Sequence, residues 1–358
     1  MNVNEILDSP ILKLPTGGWD WEVSQPEWML DKHIPAKSVG MLFGPSNAGK
    51  SHLVCDMIID VLAGSDDWQG IGLTGGDVVM FSESHGHIKA RLKAYRNHKG
   101  KTIKHRMHTL PTIGIETHEM AALCSWVYML PNPPVLMVFD TLATAFSIEE
   151  NDNKEASKLI KALEEYILPA MHPQGTIMLV HHTSKASEGR IARGASALIG
   201  NIDYSINCQW DDVMEKTVAK WEKDRWRLMK EVPQWSGVAK RVPVAFTNGD
   251  TEMMVLDWTP YSEEEQEAAR RLQEDLKMDA VKNRVRKAIE SATKPVFIHT
   301  NSRARVPTGY VPFRLSDLVD RKIVPAMIDY IKEIFEFEPV FTAKGAEAGI
   351  NVVGSKSP

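Results

Sequence analysis

Residues 44 to 51 read GPSNAGKS, two glycines bracketing four residues with Lys50 and Ser51 following at once. This is the GxxxxGK[ST] pattern of a phosphate-binding loop. The loop of Gly44, Pro45, Ser46, Asn47, Ala48 and Gly49 can wrap backbone N–H groups around phosphate oxygens. Lys50 then reaches the β and γ phosphates of ATP, and the Ser51 hydroxyl takes Mg2+. From His52 the chain runs on into a helix whose positive end faces the anion. A carboxylate at the end of a nearby strand completes the magnesium site, and VLMVFDT supplies Asp140 after five apolar residues. An ordinary Asp at a turn has the same appearance; the phosphate loop favours the metal reading. A second acid, Glu83, ends the strand in MFSESHGH, whereas Asp140 is followed by Thr141 rather than by Glu.

These residues need a scaffold, and the hydrophobic pattern predicts one. SVGMLF (38–43) reads as a buried strand entering the glycine loop. HLVCDMIIDVLAG reads as a helix with Leu53, Met57, Val61 and Leu62 on one face, stopping at Gly64. DVVMFS (77–82), VLMVFD (135–140) and TIMLVHH (176–182) are further apolar strands, and HIKARLKAYRNH reads as a helix. NKEASKLIKALEEYILPAM predicts one amphipathic helix through Leu159, Leu163 and Ile167. Continuously apolar strands separated by helices imply a parallel sheet covered on both faces. After residue 182 no further helix is expected before residue 260. DYSINCQW, TVAKWEKDRWRLM, VPVAFTN and EMMVLDW instead predict an antiparallel extension of the sheet. From Ser262 a helix is expected to run to Ala292, with Leu272, Leu276 and Ala280 as its apolar stripe. One or two helices and a terminal hairpin are expected beyond it.

The whole-chain properties predict a soluble globular protein with a sizeable core. The 358 residues suit one large domain with a smaller one, or two of ordinary size, and 43% are hydrophobic and 25% charged. A net charge of -5 argues against a generally nucleic-acid-coated surface while permitting a local basic channel. Cys55, Cys124 and Cys208 are odd in number and form no CxxC pair, so a reducing cytoplasmic setting is expected. MNVNEILDSPILKLPTGG has neither the basic start nor the apolar run of a secretory leader. No apolar stretch reaches the ~20 residues of a membrane helix.

Five segments in order carry a more specific likeness: PEWMLDKHIPAKSVGMLFGPSNAGKS, GGDVVMFSESHGHIKARLKAY, VLMVFDTLATAF, IEEND and VHHTSKASEGRIARGASALIGNIDYSIN. Together they resemble the RepA-type family of RecA-like ATPases from plasmids and phages, which are similar to hexameric replicative helicases. The likeness spans roughly residues 25 to 258. It departs at Asn47, where the family commonly has an extra glycine; the basic motif does not require one. The resemblance implies a RecA-like α/β P-loop NTPase fold with a mainly parallel sheet extended by antiparallel strands, plus a small C-terminal α or α+β region. The expected division is an N-terminal extension over 1–34, the ATPase domain over 35–259 and an accessory region over 260–358.

The resemblance also implies roles. The catalytic base falls on Glu83, at the end of the second strand. His181 and His182 end the strand beside Asp140, where a polar residue (His182 here) senses the γ-phosphate. A metal site made by the two is disfavoured, since neighbours on a strand point to opposite faces; a buried, hydrogen-bonded His is the plainer alternative. Lys185, Arg190 and Arg193 lie in SKASEGRIARGAS, which resembles the pore loop that grips a nucleic-acid backbone; a solvated basic loop is the other reading. Lys223 and Arg225 form a K-x-R matching the pair that such rings insert into a neighbouring subunit's active site. The chain is therefore expected to form a homo-oligomeric ring, a hexamer by resemblance, acting on single-stranded DNA with ATP and Mg2+ and without a membrane. The alternatives are a recombination or annealing ATPase and a nucleotide-gated loader. From Lys282 to Arg305 a basic run with Phe297 and His299 suggests a nucleic-acid or replication-partner surface, or a solvated helix face.

Overall fold

The computed structural model describes residues 25–82, 85–110, 113, 116–146, 153–183, 196–225, 233–292, 294–299, 306, 309–341 and 347–355. The chain divides into two compact units, Met1–Ser262 and Glu263–Pro358.

The first unit is built on a nine-stranded sheet. In chain order its elements are β1 (Ser38–Gly44), α1 (Lys50–Ala63), β2 (Val78–Ser82), α2 (His85–Lys99), β3 (Met107–Leu110), α3 (Thr117–Tyr128) and β4 (Leu136–Asp140). There follow α4 (Asn153–Ala162), β5 (Thr176–His182), α5 (Ser196–Asn201), β6 (Tyr204–Asp211), β7 (Lys216–Asp224), β8 (Gln234–Phe246) and β9 (Gly249–Pro260). The strand order is β9-β8-β7-β6-β1-β5-β4-β2-β3. Strands β6, β1, β5, β4, β2 and β3 run parallel; β7, β8 and β9 extend the sheet antiparallel from β6. This is the α/β architecture of a RecA-like P-loop NTPase.

The parallel strands are buried on both faces because their residues alternate between two cores. Val39, Met41 and Phe43 of β1 pack with Val79, Phe81, Met137, Phe139, Ile177 and Leu179. Leu42 points the other way and packs with α1 through Val54 and Ile58, and with Val78, Met80, Val138 and Val180. Period-two alternation inside an unbroken apolar run produces both layers at once. Helix α1 ends where Gly64 adopts a left-handed conformation (φ 60°) and its N–H bonds back to Val61.

Several expectations need correction. The helix read through Met171 is α only to Ala162; a π turn (Leu163–Ile167) and a 3-10 turn (Leu168–Ala170) follow. Pro169, which has no N–H to donate, falls in that last turn. A short helix, α5, does lie between β5 and β6. Elements β3 and α3 were not apparent in the pattern, and β8 begins eight residues before VPVAFTN.

The second unit has its own core around Val285, Ile298, Met327, Ile331 and Ile350. Its elements are α6 (Glu263–Glu290), β10 (Val296–His299), β11 (Val311–Phe313), α7 (Val324–Ile334), β12 (Phe335–Phe341) and β13 (Glu347–Ser355). The sheet order is β11-β10-β13-β12, with the expected terminal hairpin formed by β12 and β13. On α6 the buried residues are Ala269, Val285 and Ile289, while Leu272 and Leu276 are exposed, so the anticipated stripe is not the packed one. Phe297 is fully buried and does not belong to a surface patch. Among the described residues no helix is long and apolar enough to cross a membrane.

Candidate active site

The loop between β1 and α1 has the strained geometry its glycines permit. Gly49 has φ 83°, and a Cβ there would lie 2.8 Å from both Thr217 Oγ1 and Leu256 Cδ1. A Cβ on Gly44 would lie 2.0 Å from the Cys208 carbonyl oxygen. Asn47 stands at φ 64°, a left-handed conformation that glycine adopts freely and that Asn tolerates better than most residues. That explains how Asn47 replaces glycine without breaking the loop.

The strand order brings the separate motifs together. Strand β5 lies between β1 and β4, so His182 falls between the phosphate loop and Asp140. The Lys50 ammonium donates to the carbonyls of Gly44 (2.9 Å) and Pro45 (2.7 Å) and lies 3.3 Å from His182 Nδ1. Ser46 Oγ is 3.5 Å from the same ring nitrogen. A cleft of about 610 Å³ is lined by Ser46, Asn47, Gly49, Lys50, Ser51, His52, Asp140 and His182. Pro45 and Ala48 line an adjoining hollow.

Burial raises the Asp140 pKa, against the hydrogen bond from Ser51 and the positive charges of Arg91, Lys50 and His182. Burial lowers the Lys50 pKa, against the negative charge of Asp140. Desolvation thus presses both groups toward neutrality, and their charged neighbours oppose it. The donor set fits Mg2+, a hard cation that prefers carboxylate and hydroxyl oxygen: Asp140 and Ser51 are already hydrogen-bonded to one another. Polyphosphate fits the ammonium and the loop.

Ser82 pairs with Asp140 across β2 and β4, and Glu83 is the next residue in sequence. Glu83 itself lies outside the described residues, as do Lys185, Arg190 and Arg193. His181 is buried on the opposite side of β5 from His182.

Arg91, Trp210, Thr217, Ala239, Met254 and Leu256 line the cleft and escaped the sequence reading. Arg91 sits on α2 and acts electrostatically on Asp140 and His52. Trp210, Met254 and Leu256 come from β6 and β9. His52 is held by Tyr95, whose hydroxyl lies 3.0 Å from the ring and accepts from the Leu256 N–H at 2.8 Å. Burial, aided by Arg91, lowers the His52 pKa to about 4. The neutral imidazole therefore joins α1, α2 and β9 at the base of the cleft.

Lys223 and Arg225 are not in this cleft. Lys223 Nζ donates to the carbonyls of Ile199 (2.8 Å) and Gly200 (3.1 Å). Arg225 pairs with Asp203 at 2.8 Å and donates to the Asn201 carbonyl at 3.1 Å. Strand β7 carries Thr217 at the cleft end and Lys223 six residues further on, about 20 Å away at ~3.3 Å per residue.

Fold and site together define a P-loop ATPase, a nucleotide-binding protein of α/β architecture. The model of the AAA domain family matches residues 8–188, half of the chain, and the chain belongs to that family. Comparison with curated proteins finds no significant match.

Proposed function

We propose that this ATPase is a ring-forming motor on single-stranded DNA, a RepA-type replicative helicase of a plasmid or phage. The observation that carries this reading is the separation of Lys223 and Arg225 from the cleft of their own chain. In that chain they brace the α5–β6 junction, and the Arg225 side chain stays half exposed. A cationic pair at the far end of β7 suits a role in the site of an adjacent subunit, where a guanidinium stabilises charge on the transferring phosphoryl. That role requires a homo-oligomer, and a hexameric ring agrees with the resemblance.

In the proposed reaction Glu83 accepts a proton from the attacking water, and Lys50 holds the terminal phosphates. Ser51 and Asp140 would hold Mg2+, which would supply charge stabilisation at the phosphoryl group. His182 lies 3.3 Å from Lys50 and shortly before Lys185, Arg190 and Arg193 in sequence, which supports a proposed role in coupling the phosphates to DNA. The C-terminal unit is assigned to nucleic-acid or replication-partner binding.

The test is strand displacement on forked DNA with ATP, beside ATPase rates with and without single strands. Displacement with stimulated ATPase supports the helicase. Stimulated ATPase without displacement favours a recombination or annealing ATPase, and no stimulation favours a loader.

A further inference from the structure

From Lys89 to Arg106 the chain carries eight Lys and Arg and no Asp or Glu, although its net charge is -5. The segment covers most of α2 and the connection into β3, an edge strand of the large sheet. Four of these cations are engaged by the fold. Arg91 lines the cleft. Lys93 donates to the Ala245 carbonyl and lies over the Phe246 ring. Lys99 pairs with Asp56 at 2.9 Å and also with Asp60, and Lys101 pairs with Asp60 at 3.2 Å.

Lys89, Arg96, Lys104 and Arg106 differ. All four are exposed, and among the described residues none of them forms an ion pair. Lys89 and Arg96 stand two turns apart on one face of α2, about 10.5 Å along its axis. Gly100 then turns the chain with φ 61°, and the Lys101 N–H bonds back to the Arg96 carbonyl at 3.2 Å. The Lys104 and His105 N–H groups donate to the Leu62 carbonyl at 2.9 and 3.0 Å, and the Arg106 N–H donates to Asp77 at 3.0 Å. The backbone beneath the four cations is thus fixed before any partner arrives. Asp250 and Glu252, opposite Ala245 and Pro243 on the β8–β9 hairpin, bound this surface where α2 meets the hairpin.

The surface chemistry selects the partner. Among the described residues from Gly86 to Leu110 no large hydrophobic side chain is exposed. A protein partner needs aromatic or aliphatic anchors at the centre of its interface. A sequence-tolerant single-strand site uses aromatic side chains on which bases stack. A duplex needs neither, because its bases are stacked inside and its outside is phosphate, about one charge per 1.7 Å of axis.

We propose that this face docks duplex DNA, with Lys89, Arg96, Lys104 and Arg106 holding the phosphate backbone without reading sequence. It is separate in sequence from Lys185, Arg190 and Arg193, and it stands whether or not the chain forms a ring.

The test is fluorescence anisotropy of the full chain, without nucleotide, against a labelled blunt DNA duplex of about two helical turns and against its single strand, across a salt series. The wild type should bind the duplex, and duplexes of unrelated sequence should bind alike. Replacing Lys89, Arg96, Lys104 and Arg106 together by alanine should lower the log–log salt slope for the duplex by up to about 3.6, at about 0.9 for each lost phosphate contact. Lys89→Ala with Arg96→Ala, and Lys104→Ala with Arg106→Ala, should each remove about half of that, and they carry the test if the fourfold variant unfolds early. Swapping Lys and Arg at the four positions should keep the wild-type slope. Thermal unfolding of each variant is read beside the titrations.

A wild type that binds no duplex at about 50 mM salt, or folded variants with an unchanged slope, would overturn the proposal. So would a slope loss as large for the single strand, the mark of a single-strand surface. Displacement by polyglutamate as effective as by unlabelled duplex would overturn it in favour of an acidic protein partner. Unchanged duplex binding with an altered sedimentation coefficient would reassign the face to a contact between subunits.

Discussion

Lys50 and His182 meet across adjacent strands, with the Lys50 ammonium 3.3 Å from His182 Nδ1 and bonded to the carbonyls of Gly44 and Pro45. The residue assigned to phosphate therefore also closes its own loop and touches the strand that ends at His182.

Lys50→Ala should reduce ATP hydrolysis to background while the chain stays folded. It should also cost about 1–2 kcal/mol of stability, because two carbonyls lose a charged donor. Urea unfolding monitored beside the ATPase assay reads both. Normal turnover would remove the phosphate-loop assignment.

Glu83→Gln should keep ATP binding and slow hydrolysis by ~10² or more, the scale of a lost general base. Single-turnover kinetics with nucleotide-binding controls measures this. Near-wild-type turnover would place the base elsewhere.

Reversing charge at Lys185 and Arg190 should weaken single-stranded DNA binding and flatten its salt dependence by roughly 0.7 in log–log slope per lost phosphate contact. Basal ATPase should persist while DNA stimulation falls. A salt titration showing an unchanged slope would move the binding surface to the C-terminal unit.

In the proposed ring, Arg225→Ala and Glu83→Gln damage opposite halves of a composite site, so mixing the two inactive variants should restore some ATPase. Rescue arises only where an intact Glu83 side faces an intact Arg225 side. Activity is followed across mixing ratios after sedimentation verifies subunit exchange. A flat baseline in verified mixed oligomers would refute the trans-acting arginine.

Gly40→Ala should destabilise the first unit by about 1–3 kcal/mol, the usual cost of overpacking a core. A Cβ there would lie 2.1 Å from the Tyr204 ring, between the strand that feeds the phosphate loop and its parallel neighbour β6. Chemical denaturation of the variant checks this; unchanged stability would contradict the packing.

The sequence by itself determined the elements whose chemistry is local. Gly44–Ser51 declares a phosphate loop because glycine, lysine and serine act within one turn of chain. Asp140 ends a strand because an apolar run stops there. Gly64 marks a helix end because it accepts a left-handed conformation. The parallel layer was legible because strands buried on both faces leave unbroken apolar runs.

Tertiary structure alone decided which of these meet. That β5 separates β1 from β4, putting His182 beside Lys50, is a matter of strand order, and hydrogen bonding between distant strands leaves no local signature. Arg91, Trp210 and Met254 reach the cleft from three elements, and none has a neighbour in sequence that betrays its direction. The exposed Leu272 and buried Phe297 show the same limit from the other side. Periodicity records that a face is apolar, but what covers it depends on contacts made by residues far along the chain.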